Sequence, residues 1–119
     1  MLTRSMLHFL ILNKTIKMDR GVIKNFLKVC ESLLGSDREL QVDITSGFRT
    51  KKTNEKLRRN SYNVAKNSMH LVGRAIDSRI RDRSISNLEK VAEKLTPGGL
   101  GIYSAFIHID TGPYRRWKA

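Results

Sequence analysis

The sequence is short of several things. Cys30 is the one cysteine among 119 residues, so no intrachain disulfide can staple the fold and no cysteine-based zinc site is available. It lies in an apolar pattern of helical period, where a thiol is expected to be buried and inert. The apolar run Met6-Leu7-His8-Phe9-Leu10-Ile11-Leu12 is far shorter than the ~20 residues that span a bilayer. Asn13-Lys14-Thr15 follows it, with no small-x-small cleavage signature. The run is therefore read as an edge strand or helix packing on the core rather than as a targeting segment, with His8 incidental or part of the core. Acids are scarce as well: 11 Asp+Glu stand against 23 Lys+Arg, a formal net charge of +12. That imbalance predicts attraction to polyanions, and by itself does not choose among nucleic acid, anionic lipid and an acidic wall polymer. Repeats, low-complexity stretches and linkers are missing too. With 39% hydrophobic residues, the composition fits one folded domain with a modest core.

Periodicity then lays out the elements. Asp19 is placed to cap a helix from about Arg20 to Leu34, whose Val22, Ile23, Phe26, Leu27, Cys30, Leu33 and Leu34 recur at helical spacing before Gly35 stops it. Leu40, Val42 and Ile44 alternate with polar residues as a half-buried strand. A short basic helix is expected from Thr53 to Arg59, and Asn60 to Ser68 as an ordered loop that delivers His70. Beyond Gly73, a strand puts Ala75, Asp77 and Arg79 on one face and Ile76 and Ile80 on the other. Ser86-Asn87-Leu88-Glu89 has the form of a capping box, opening a helix with Leu88, Val91, Ala92 and Leu95 inward and Pro97-Gly98-Gly99 at its end. Two further strands, Leu100 to Tyr103 and Phe106 to Asp110, meet at Ser104-Ala105, with Ile107 and Ile109 facing one way and Phe106, His108 and Asp110 the other. The tail from Thr111 is basic and aromatic and is given no element. Tyr103, Tyr114 and Trp117 are expected in the core rather than in a groove. The architecture predicted is α+β: a small, mainly antiparallel sheet with helices packed largely on one face.

His70, Asp77 and His108 are the residues that carry chemistry. Two neutral imidazoles and a carboxylate, with a fourth position left to water, are the ligand set of a hydrolytic zinc site. If the strands of Asp77 and His108 are neighbours, their side chains converge and the segment bearing His70 closes the triangle. Taken alone this is a weak pattern, since a lone strand histidine is more often a satisfied core or surface residue.

The order of the neighbouring motifs strengthens it. Ser46-Gly47-Phe48-Arg49-Thr50, then Ser68-x-His70 with Gly73-Arg74-Ala75-Ile76-Asp77, then Phe106-Ile107-His108-Ile109-Asp110-Thr111-Gly112 resemble the zinc murein peptidases. That superfamily groups lysostaphin-type enzymes, D-alanyl-D-alanine metallopeptidases and the hedgehog fold. The match is to its peptidoglycan D,D-endopeptidase branch, where the Arg115-Arg116-Trp117 ending recurs, and it covers roughly Asp19 to Trp117. Residues 19–119 are accordingly read as a zinc peptidase-like domain, and 1–18 as an N-terminal extension, with the remnant of an export segment as one reading. The resemblance implies that His70, Asp77 and His108 hold one Zn²⁺ per chain, that Arg49 reaches the scissile carbonyl or a substrate carboxylate, and that Ser68 supports the site. A guanidinium suits that role because its donors form a fixed fork.

Many relatives place an acid three positions, or a histidine two positions, before the last ligand; here Ala105 and Phe106 stand there. Asp110 is the acid near enough in sequence to serve as general base, with support of a ligand or a turn as its other reading. The function expected is a zinc-dependent peptidoglycan hydrolase that cuts peptide bonds of the stem or cross-link with a metal-activated water. It would act as a monomer in the periplasm or cell wall. The alternative is a non-catalytic basic binding module, either a degenerate wall-binding relative or a nucleic-acid binder. No nucleic-acid motif is present, so no such partner is expected.

Overall fold

Asp19 starts the first helix, α1 (Arg20–Leu34), by accepting a hydrogen bond from the Gly21 N–H at 3.1 Å. In the computed structural model, which describes residues 2–3, 19–35, 39–46, 51–60 and 69–119, α1 buries Val22, Ile23, Phe26, Leu27, Val29, Cys30 and Leu34. Each large side chain so buried contributes about 1.5–3 kcal/mol of hydrophobic stabilisation. The stripe lies on one face of a five-stranded sheet of β3 (Val42–Ser46), β4 (Ala75–Ile80), β5 (Gly99–Ile102), β6 (Ile107–Asp110) and β7 (Arg115–Lys118). Spatial order is β3-β4-β6-β5-β7, antiparallel throughout except for the parallel pair β5–β7. Two-residue strands β1 (Leu2–Thr3) and β2 (Glu39–Leu40) pair separately.

A second helix on the same face, α3 (Ile85–Leu95), buries Leu88 and Ala92 against α1 and the sheet. Its N-cap is Ser84, whose hydroxyl accepts from the Asn87 N–H at 3.1 Å, so the helix opens two residues before the expected Ser86 box. Ser84 has the extended backbone a cap requires (φ −72°, ψ 156°), whereas Ser86 lies inside the helix. At the other end, Arg116 donates to the Thr96 and Gly98 carbonyls at 2.7 and 2.6 Å and to Glu93 at 2.8 Å. A cation there satisfies carbonyls that the helix leaves free. The basic helix, α2 (Lys51–Asn60), extends past the predicted Thr53–Arg59 at both ends.

Ile76, Ile80, Leu100, Ile107 and Ile109 form the helix-covered side of the sheet. Because strand residues alternate, Asp77, His108 and Asp110 are turned to the opposite side. The α+β architecture, largely antiparallel with α1 and α3 on one face, is the one expected. The tail, which was given no element, forms β7. Residues 61–68, expected as an ordered loop, and the apolar run 6–12 lie outside the described residues.

Candidate metal centre

The His70 side chain is delivered by a single 3₁₀ turn, Met69–Val72. Gly73 ends it at φ 68°, a left-handed conformation in which any Cβ would be strained. Its N–H donates to the His70 carbonyl at 3.2 Å, and the Arg74 N–H donates to the Met69 carbonyl at 2.9 Å. The turn is tied on both sides. The Gly73 carbonyl accepts from the Asp19 N–H at 2.8 Å, and the Arg74 guanidinium binds the Thr111 hydroxyl at 2.8 Å just past β6.

Asp77 and His108 are direct cross-strand partners in the β4–β6 ladder. Their side chains meet, His108 Nδ1 lying 2.8 Å from Asp77 Oδ1, and His70 Nε2 reaches the same oxygen at 3.2 Å. The two imidazoles stand edge to face with centroids 5.2 Å apart. All three residues are buried, at 2%, 8% and 9% exposure for His70, Asp77 and His108. Their candidate ligand atoms lie within 4.8 Å of one another. Donors sharing one tetrahedral ion at ~2.0–2.2 Å sit roughly 3.3–3.5 Å apart, so small side-chain adjustments suffice. Two imidazole nitrogens and a carboxylate oxygen, converging in a buried place, fit a divalent metal ion.

Burial alone would raise the Asp77 carboxyl, but hydrogen bonds with His108 and His70 and the field of both rings outweigh it and hold the group at about 2. Burial would likewise lower His108, yet its bonds to Asp110 and Asp77 raise it above the ordinary imidazole value. Asp110 follows the same logic. Burial pushes it up, while His108 and the Gly112 and Gly99 N–H groups bring it below the usual carboxylate range.

Asp110 is fully occupied. Oδ1 accepts from the Gly99 and Gly112 N–H groups at 2.9 Å each, and Oδ2 meets His108 Nε2 at 2.8 Å and the Arg115 guanidinium at 2.6 Å. Arg49 and Ser68 lie outside the described residues. Ser46, the last residue of β3 and the last described before Arg49, pairs with Asp77.

The aromatic residues are not where they were expected. Tyr114 is 65% exposed, and Tyr103 and Trp117 are half-buried on the ligand side of the sheet rather than in the core. Trp117 Nε1 donates to the Tyr103 hydroxyl at 3.0 Å, and its ring centroid is 5.2 Å from that of His108. Nothing in the periodicity of the tail pointed to this neighbour. The signal available was the Gly99-x-Gly101 pair in a strand, a mark of close approach.

The family model described as peptidoglycan L,D-endopeptidase MepK matches residues 4–117. The chain is 42% identical over 108 residues to the probable peptidoglycan L,D-endopeptidase MepK of Haemophilus influenzae, covering 89% of this chain and 57% of that protein. It is 40% identical over 107 residues to the peptidoglycan L,D-endopeptidase MepK of Escherichia coli K12 and to that of Shigella flexneri, covering 88% of this chain and 57% of each. The chain thus spans a little over half the length of the curated relatives it matches. Their names specify an L,D bond, where the motifs alone had suggested the D,D branch of the same superfamily.

Proposed function

From the premise that this chain belongs to the peptidoglycan L,D-endopeptidase MepK family, within the lysostaphin and D-alanyl-D-alanine metallopeptidase superfamily, we propose that it is a zinc-dependent hydrolase of peptidoglycan, cutting an L,D peptide bond. The observation that carries the reading is the convergence of His70, Asp77 and His108, from one turn and two paired strands, so that a ligand atom of each lies within 4.8 Å of the others. These three side chains would hold the zinc. A zinc ion so bound supplies Lewis acidity and brings the pKa of a water toward ~7.

The residues around it have distinct tasks. An ionised carboxylate only accepts hydrogen bonds, so Asp110 holds a proton on His108 Nε2, and Nδ1, on the side of Asp77 and His70, is the nitrogen that would give up its proton to take the ion. Of the two roles read from sequence for Asp110, base and support, its four contacts favour support. Arg49 is assigned to the carbonyl being cut, where a two-donor fork stabilises developing negative charge. Ser68, two residues before His70, is assigned to the wall of the same site. The positive charge of the chain, dense on α2 in Lys51, Lys52, Lys56, Arg58 and Arg59, suits attraction to an anionic wall polymer, the polyanion that the family's substrate selects. The periplasm or cell wall is the corresponding place of action. Among the described residues no helix is long and apolar enough to cross a membrane.

His70→Ala tests the proposal. Elemental analysis should show one zinc per parent chain and none in the variant, and release of peptide fragments from purified murein should be lost with it. A variant that digests murein as the parent does overturns the reading.

A further inference from the structure

β7 reaches the metal ligands through a gap made by glycine. Gly101 on β5 pairs with His108 on one side and with Trp117 on the other, so the three lie in one row across the sheet. Adjacent strands are about 4.8 Å apart, which would keep Trp117 and His108 separate if the middle position had a side chain. It has none. A Cβ at Gly101 would lie 2.4–2.6 Å from Cε2, Cζ2 and Nε1 of the indole, so the ring occupies the volume that any other residue would fill. Gly99, one row along, does the same for Asp110: a Cβ there would come within 2.4 Å of its carboxylate.

The indole is fixed at its far side as well. Nε1 donates to the Tyr103 hydroxyl at 3.0 Å, and the Arg115 guanidinium, itself bound to Asp110, lies 5.0 Å from the ring centroid. His108 is therefore held on every side: Asp77 at Nδ1, Asp110 at Nε2, the His70 ring at 5.2 Å and the Trp117 ring at 5.2 Å. Hydrogen bonds at the two nitrogens set the plane of an imidazole. A packed neighbour prevents it from swinging out of that plane.

We infer that Trp117 is a positioning residue for the metal centre, its indole admitted by Gly101 and braced by Arg115 so that His108 keeps Nδ1 turned toward Asp77 and His70. The inference rests on the metal reading of the site. Partners of this kind, outside the ligand set, change metal affinity by ~10–100-fold when removed. A bland alternative exists, in which Trp117 only anchors an edge strand; it predicts lower stability with unchanged affinity.

The experiment is zinc affinity by chelator competition on the full chain, for the parent, W117F, W117L, G101A and the double variant G101A/W117L. W117L should weaken zinc by about 10-fold, and W117F, which keeps a ring against His108, should restore most of the loss. G101A leaves every core side chain in place and displaces an indole at the sheet edge, so it should weaken zinc to a similar degree even if W117L fails to fold. Because both act through one contact, the double variant should be no weaker than the worse single one. In the metal-free protein, the His108 ring N–H signal in a nitrogen–proton NMR spectrum should be sharp in the parent and broadened in G101A. Unchanged affinity in W117L and G101A, or additive losses, overturns the inference and leaves the metal site standing. A parent that takes up no zinc overturns both.

Discussion

The two faces of the sheet are made from the same strands and obey different rules. On β6, Ile107 and Ile109 are buried under α1 and α3, while His108 and Asp110 point the other way and are buried too. Burial on the helix side is repaid by apolar packing, which is non-directional and tolerant of shape. On the ligand side it is tolerable only because both carboxylate oxygens of Asp110 and both nitrogens of His108 have partners at 2.6–2.9 Å. One side supplies stability, the other a geometry. A residue can therefore be assigned by its parity along the strand.

That contrast can be broken by substitution. Asp77→Asn should have the largest effect: it removes the charged ligand shared by both imidazoles, and zinc affinity measured by chelator competition should fall by more than the ~100-fold that outer partners reach. Ile109→Ala, the neighbour of two polar site residues, should instead cost about 2–5 kcal/mol in denaturant unfolding, with zinc content per folded chain unchanged. If the isoleucine also governs zinc, the two faces are not independent. Asp110→Asn sharpens the point. Its amide oxygen can still serve Gly99 and Gly112, but the NH₂ now donates to His108 Nε2, moves the ring proton to Nδ1 and leaves the Arg115 guanidinium without its acceptor, so zinc should bind ~10–100-fold more weakly and thermal stability should fall as well. The smallest effect belongs to Cys30, whose thiol burial first, and the nearby Glu31 second, push up from 9.0 to about 12. Below pH 9 the thiol is neutral in both folded and unfolded chains. Above it the unfolded chain ionises first, so stability should decline as pH rises from 9 toward 12, and the native thiol should resist alkylation at pH 8.

Much of this was legible because burial imposes period. Fifteen residues of α1 repeat their apolar positions so regularly that both ends, Asp19 and Gly35, could be placed from sequence. Alternation around Asp77 and His108 gave their shared face, and the neighbouring motifs singled out His70. β7 was invisible for the same reason: Arg115, Arg116 and Lys118 belong to a partly exposed edge strand that buries too little to leave a pattern. The start of α3 was missed because two serines, 84 and 86, both offer a hydroxyl to a helix, and only the backbone conformation after the turn chooses between them. Trp117 was assigned to the core on the habits of aromatics; what brings it to His108 is the missing side chain of a residue on another strand.

The hydrogen bond from the Asp19 N–H to the Gly73 carbonyl joins the first residue before α1 to the last residue of the His70 turn. Whatever tightens that turn also removes slack from the beginning of the principal helix. A cation that stiffened the turn on binding would then be expected to slow exchange of the Asp19 amide, a signal read without touching the chemistry.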